Sequence, residues 1–165
     1  MPLTIGQAAP DFSLPCDNDT ILSLTDFKGK NLVLYFYPKD HTSGCTRESC
    51  DFRDYYTEFQ SLNTVVIGIS KDSVSSHQRF KATYQLPFAL LSDPEGIVCQ
   101  AYGVMGEKKM YGKTFYGIIR STFLIDEHGI LQAIWRNVSV TNHVQAVLTA
   151  LKEIRGISCG GSTNL

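Results

Sequence analysis

No apolar run in this sequence approaches the roughly 20 residues that a membrane-spanning helix requires. The opening Met1-Pro2-Leu3-Thr4-Ile5-Gly6-Gln7 lacks the basic and apolar regions of a secretory leader, so a soluble, non-secreted, cytoplasmic protein is expected. Charge excess is missing as well. Fifteen Lys and Arg against 16 Asp and Glu leave a net charge of −1 with no basic run, which removes the compositional basis for binding nucleic acid or an anionic membrane. There is no Cys-x-x-Cys pair, and His41, His77, His128 and His143 show no metal-ligand spacing. The five cysteines, at 16, 45, 50, 99 and 159, are an odd number in a chain without secretory character, which argues against a static disulfide framework. Small molecules or proteins remain as expected partners.

What is present suffices for one sizeable core: 165 residues, 43% hydrophobic and 11% aromatic. Asp11 to Pro15 and Ile21 to Leu24 flank the turn-rich Cys16 to Thr20 and predict a small N-terminal hairpin. Asn31 to Tyr37 is continuously apolar, as a strand covered on both faces should be, and Pro38 ends it. Phe52, Tyr55, Tyr56 and Phe59 recur at helical spacing and predict a helix from about Cys45 to Ser61. A second strand follows at Thr64 to Ser70, a helix at Ser73 to Thr83, a strand at Pro87 to Ser92 and a short helix at Ile97 to Tyr102. Gly103 to Gly117, rich in glycine and lysine, reads as a long loop. Arg120 to Asp126 and Ile130 to Trp135 read as an antiparallel pair across Glu127-His128-Gly129, and Asn142 to Arg155 as a closing amphipathic helix. This order predicts an α/β fold, a thioredoxin-like three-layer α/β/α domain with a mixed central sheet over residues 1–155, followed by a flexible tail over 156–165.

Cys45 falls where the strand-to-helix turn opens the helix. The unpaired N–H groups and positive dipole end there favour a thiolate, which makes Cys45 a candidate nucleophile rather than a buried hydrophobe. Cys50 lies five positions on. In an intact helix that spacing separates the two Cα atoms by about 8 to 9 Å and rotates them about 140°, beyond the roughly 4.4 to 6.8 Å of a disulfide. Either the pair never meets, or the first turns must unwind for it to bond.

Pro38-x3-Thr42-x2-Cys45 resembles the active-site motif of the peroxiredoxins, and a second cysteine five residues later is similar to their peroxiredoxin Q or bacterioferritin-comigratory-protein branch. Ala9-Pro10-Asp11-Phe12, Tyr35-Phe36-Tyr37-Pro38 and Arg120 to Asp126 resemble the same family, so the likeness runs from about residue 4 to 155. It implies a thiol peroxidase for hydrogen peroxide and organic hydroperoxides that requires no cofactor. Cys45 would be the peroxidatic cysteine and Cys50 the resolving one, joined in an intramolecular redox disulfide. Thr42 would offer its hydroxyl to the peroxide, Arg120 would hold thiolate and leaving oxygen together, Glu48 would orient Arg120, and Pro38 would shield the thiol. Thioredoxin or a glutaredoxin-type dithiol would recycle a monomeric enzyme. Ser43 departs from the proline common in this branch, which removes one fixed φ angle and adds a capping hydroxyl.

The competing expectation is a copper or zinc carrier of the same architecture using Cys45, Cys50 and a histidine. The offset between the two cysteines disfavours a shared ion without unwinding. Cys16, Cys99 and Cys159 have no paired context and read as spectators, and Phe36, Tyr37, Phe115, Tyr116 and Trp135 read as core or pocket wall.

Overall fold

Two short strands, β1 (Ser13–Pro15) and β2 (Ile21–Ser23), pair antiparallel as the expected N-terminal hairpin. A 3₁₀ turn over Leu24–Phe27 follows, its entry fixed by the Ser23 N–H donating to the Asp26 carboxylate at 2.8 Å. The computed structural model describes residues 3–154. The expected domain end at 155 and the expected tail with Cys159 lie outside the described residues.

β3 (Asn31–Phe36) is buried throughout. Leu32, Leu34 and Phe36 enter one core cluster while Val33 and Tyr35 enter the other, so both faces of the strand are covered and no polar alternation survives. Beyond it run α1 (Ser43–Asp54), α2 (Tyr56–Ser61), β4 (Thr64–Ser70), α3 (Val74–Tyr84), β5 (Ala89–Ser92) and α4 (Ile97–Ala101). The chain then continues through β6 (Met105–Met110), β7 (Lys113–Ile118), β8 (Ser121–Ile125), β9 (Leu131–Arg136) and α5 (His143–Ile154). The central sheet has the order β5-β4-β3-β8-β9. β3, β4 and β5 are parallel, whereas β8 lies antiparallel to both β3 and β9.

The expected mixed sheet and α/β layering hold. One face is covered by side chains of α1, α2, α3 and α5, including Phe52, Phe59, Phe80 and Val147. The other is covered by α4 and the N-terminal segment through Val98, Cys99, Phe12 and Leu14.

Three expectations need correction. Phe115 and Tyr116, read as core or pocket wall, are exposed. The helix expected from about Cys45 to Ser61 is two helices, because the chain breaks at Tyr55, whose N–H reaches back to the carbonyls of Asp51 and Arg53. It also begins earlier, at Ser43, because Thr42 adopts the extended conformation of an N-cap. The long loop expected over Gly103 to Gly117 is instead the β6–β7 hairpin. Tyr111 and Gly112 close it with φ of 54° and 76°, the left-handed pair that a tight two-residue turn requires. Its strands are largely exposed and separate from the central sheet, so no apolar alternation marked them.

Candidate active site

Register builds the site. Phe36 of β3 pairs with Ser121 of β8, so the residue before β8, Arg120, comes out beside the end of β3, where the chain turns into α1. The Val138 N–H donates to the Arg120 carbonyl at 2.9 Å and fixes its backbone. Its side chain reaches α1 as a fork. Nη2 donates to the Cys45 Sγ at 3.3 Å and Nη1 to the Glu48 Oε1 at 2.6 Å. Cys45 is 1% exposed and Glu48 fully buried. One turn of helix separates them, so a single guanidinium can bridge both.

Gly44 makes that approach possible, for a Cβ there would stand 3.2 Å from Arg120 Nη2. Thr42 is exposed at the N-cap of α1, with its hydroxyl donating to the Lys39 carbonyl at 2.8 Å rather than to Cys45. Pro38 is half-buried at the end of the strand. The structure therefore places Arg120 in direct contact with both Cys45 and Glu48 and sets Thr42 and Pro38 in the adjoining loop.

Cys50 stands apart on the same helix, partly buried and without a disulfide. Burial pushes its thiol up, against the opposing pull of Arg53. Cys16 and Cys99 are likewise pushed up by burial, and both lie in the core on the far face of the sheet. No histidine touches Cys45 or Cys50 among the described contacts. The described cluster with metal-ligating potential is Asp40, Asp72 and His77, which includes neither cysteine. A cavity of about 290 Å³ lined by Ala9, Leu24, Phe27 and Asp126 also lies away from Cys45, at the opposite end of β3.

Two polar contacts behind the site were not legible beforehand. The Tyr35 hydroxyl and Ser49 Oγ pair at 2.8 Å inside the core, tying β3 to α1. Thr122 Oγ1 and His143 Nε2 pair at 2.7 Å. Burial, with Arg120 nearby, pushes His143 down to about 4, so the imidazole is neutral at neutral pH.

Glu48 carries an electrostatic cost. Burial pushes its carboxyl up to about 7 despite the Arg120 guanidinium, and its second oxygen has no hydrogen-bond partner. A carboxyl raised in the folded state favours folding below its ordinary value of 4.5, and that contribution is lost as pH rises toward 7. Glu48→Gln abolishes the titration while keeping an acceptor for Arg120. The unfolding free energy of the variant relative to the parent should therefore climb by roughly 3 kcal/mol between acid and neutral pH. Urea titrations across that range check this, and a constant difference would refute it.

Residues 5–134 match the profile of the AhpC/TSA family. Peroxiredoxin Bcp of Bacillus subtilis is 49% identical over 154 residues, covering 93% of this chain and 98% of that protein. Peroxiredoxin Bcp of Escherichia coli is 43% identical over 152 residues, covering 92% and 97%. Among solved structures, a Cys-to-Ser variant of Xylella fastidiosa PrxQ superposes with a TM-score of 0.89 at 38% identity, covering 94% of this chain and 99% of that one. The bacterioferritin comigratory protein of Xanthomonas campestris, studied for alkyl peroxide reduction, gives 0.83 at 43% identity, covering 87% and 91%. These relatives support a thiol peroxidase and lend nothing to a metal carrier. With its buried cysteine at a helix start under an arginine fork, the chain belongs to the AhpC/TSA family, in the peroxiredoxin Q/Bcp branch.

Proposed function

We propose that Cys45 is the peroxidatic residue and Cys50 the resolving residue of this thiol peroxidase. The observation that carries the reading is the Arg120 fork, with one arm on the Cys45 sulfur and the other on buried Glu48. The Cys45 thiolate attacks the terminal oxygen of a hydroperoxide and the O–O bond breaks. The sulfur keeps one oxygen as sulfenic acid, and the other leaves as water or alcohol after taking up a proton. Arg120 and the Gly44 and Cys45 N–H groups face the negative charge that develops, and the Thr42 hydroxyl stands close enough in sequence to turn toward the peroxide. Orientation supplies the acceleration, and no cofactor is required.

Cys50 then attacks the sulfenic sulfur, the oxygen departs as water, and a Cys45–Cys50 disulfide forms. Both residues lie on α1, so the first turns must unwind at this step. A disulfide on an unwound segment is exposed, which suits reduction by thioredoxin or a glutaredoxin-type dithiol protein in the cytoplasm. An intramolecular pair needs no second subunit, consistent with a monomer. Hydrogen peroxide and organic hydroperoxides are the substrate class, the latter in keeping with the alkyl peroxide activity of the Xanthomonas campestris relative.

One equivalent of hydrogen peroxide added to the reduced protein should remove two thiols, in wild type and after Cys16, Cys99 and Cys159 are replaced. Cys50→Ser should lose one thiol and hold a sulfenic acid at Cys45 that adds dimedone. Normal turnover of Cys50→Ser with thioredoxin would overturn the resolving assignment. Unchanged thiols in the wild type would overturn the whole reading.

A further inference from the structure

The loop between β3 and α1 is fastened to α3 by a buried ionic cluster that the peroxide chemistry above does not use. Asp40 sits in this loop with its side chain 1% exposed, against a His77 side chain that is fully buried. Its carboxylate accepts from the Tyr37 hydroxyl at 2.6 Å and from Ser76 Oγ at 2.9 Å, and pairs with His77 Nδ1 at 2.7 Å. His77 Nε2 faces the Leu91 carbonyl at 2.9 Å and must carry a hydrogen there, so Nδ1 and the Asp40 oxygen share the remaining proton. The Asp40 N–H donates to Asp72 Oδ2 at 2.8 Å, and that oxygen is itself held by Ser70 Oγ at 2.6 Å. The next residue, His41, takes a left-handed φ of 64° that lays its ring edge-on against Phe80 of α3, 5.1 Å between centroids. Farther along α1, Arg53 Nη1 donates to the Tyr84 carbonyl at the end of α3 at 2.8 Å.

α1 is thus pinned to α3 both through its entry loop and in its last turn, with Cys45 and Cys50 between the two pins. A buried ion pair with its remaining hydrogen bonds satisfied resists displacement, and removing one partner costs far more than an exposed pair would. We propose that Asp40 and His77 are positioning residues for the peroxidase reaction. They hold the loop that sets Thr42 and the start of α1 against Arg120. In doing so they set the balance between the wound helix that attacks peroxide and the unwound helix that forms the disulfide. Burial pushes the Asp40 carboxyl up, yet His77, Tyr37 and Ser76 together hold it below its ordinary value, as a carboxylate engaged in such a latch should be.

The proposal rests on the Cys45–Cys50 reading, and the test separates the two. Quenched-flow mass analysis follows sulfenic acid formation and disulfide closure as successive steps in wild type, Asp40→Asn and His77→Gln. Trp135, the sole tryptophan, sits 5.8 Å from His143, which in turn contacts Phe52 of α1, and its fluorescence provides a second record of helix unwinding. Both substitutions should slow the first step by roughly tenfold through misplacement of the thiol, and speed the second several-fold. A general loss of structure would depress both steps together. No Cys45–Cys50 disulfide in the wild type would sink the underlying reading. A normal wild type whose ratio of the two rates is unchanged in both variants, or in whichever of them folds, would overturn the latch.

Discussion

Arg120→Met is expected to lower the second-order rate constant for peroxide reduction by about 10²- to 10³-fold, the cost typical of losing one preorganised donor at a developing charge. The methionine keeps much of the side-chain volume but has no donor for Sγ. It also leaves Glu48 buried without a cation, in a place where burial already pushes that carboxyl up to about 7. Part of any loss could then arise from weakened packing, so Arg120→Met should be compared with Arg120→Met/Glu48→Gln, which removes the stranded acid. Stopped-flow oxidation of both variants should show the same deficit, while far-ultraviolet circular dichroism remains that of the parent. Arg120→Lys should recover little of the rate. A single ammonium cannot satisfy Cys45 at 3.3 Å and Glu48 at 2.6 Å at once in the geometry of the planar fork. A rate within threefold of wild type in any of these variants would remove Arg120 from the mechanism.

The parts of this protein legible in its sequence are those written in consecutive residues. Leu32 to Tyr37 and Thr64 to Ser70 announce buried strands because both faces are covered and every position is apolar or small. Ser73 announces α3 because its hydroxyl caps the helix by accepting from the Ser76 N–H. The stretch Pro38 to Cys50 identified the candidate site because its motif is local. What was not legible depends on residues that only tertiary packing unites. Asp40 and His77 are 37 positions apart, and Thr122 and His143 are 21 apart. Each histidine alone looks like any solvated one, since a buried polar contact leaves no periodic trace. The sequence does not declare the partner of Glu48 for a related reason, because in a helix expected to begin near Cys45 a glutamate at this place serves the dipole equally well. Only the Phe36–Ser121 register, which carries Arg120 onto α1, decides its contact. The β6–β7 hairpin was missed because an exposed ribbon turning on Tyr111-Gly112 carries neither apolar alternation nor an Asn-Gly or Asp-Gly turn.

Gly68→Ala should cost about 4 kcal/mol by overpacking and loss of a buried hydrogen bond. Gly68 of β4 pairs with Tyr35 of β3, and the tyrosine ring lies over it. A Cβ at this position would stand 2.8 Å from Tyr35 Cζ and Oη and 2.9 Å from Leu90 Cδ2. The ring cannot swing away freely, for it is stacked between Tyr37 at 5.4 Å and Phe52 at 4.7 Å. Any escape draws the hydroxyl off Ser49, leaving two buried polar groups unpaired and loosening α1 beneath Cys45. A loss of that size is a large share of the roughly 5 to 15 kcal/mol that holds a domain of this kind together. Urea unfolding should therefore show a much lower midpoint. Tyr35→Leu is itself destabilising, but in the Gly68→Ala background it removes the ring that the methyl strikes. The double variant should therefore lose clearly less than the sum of the two single losses. Strict additivity would mean that Tyr35 is not the obstacle, and that Leu90 alone makes Gly68 necessary.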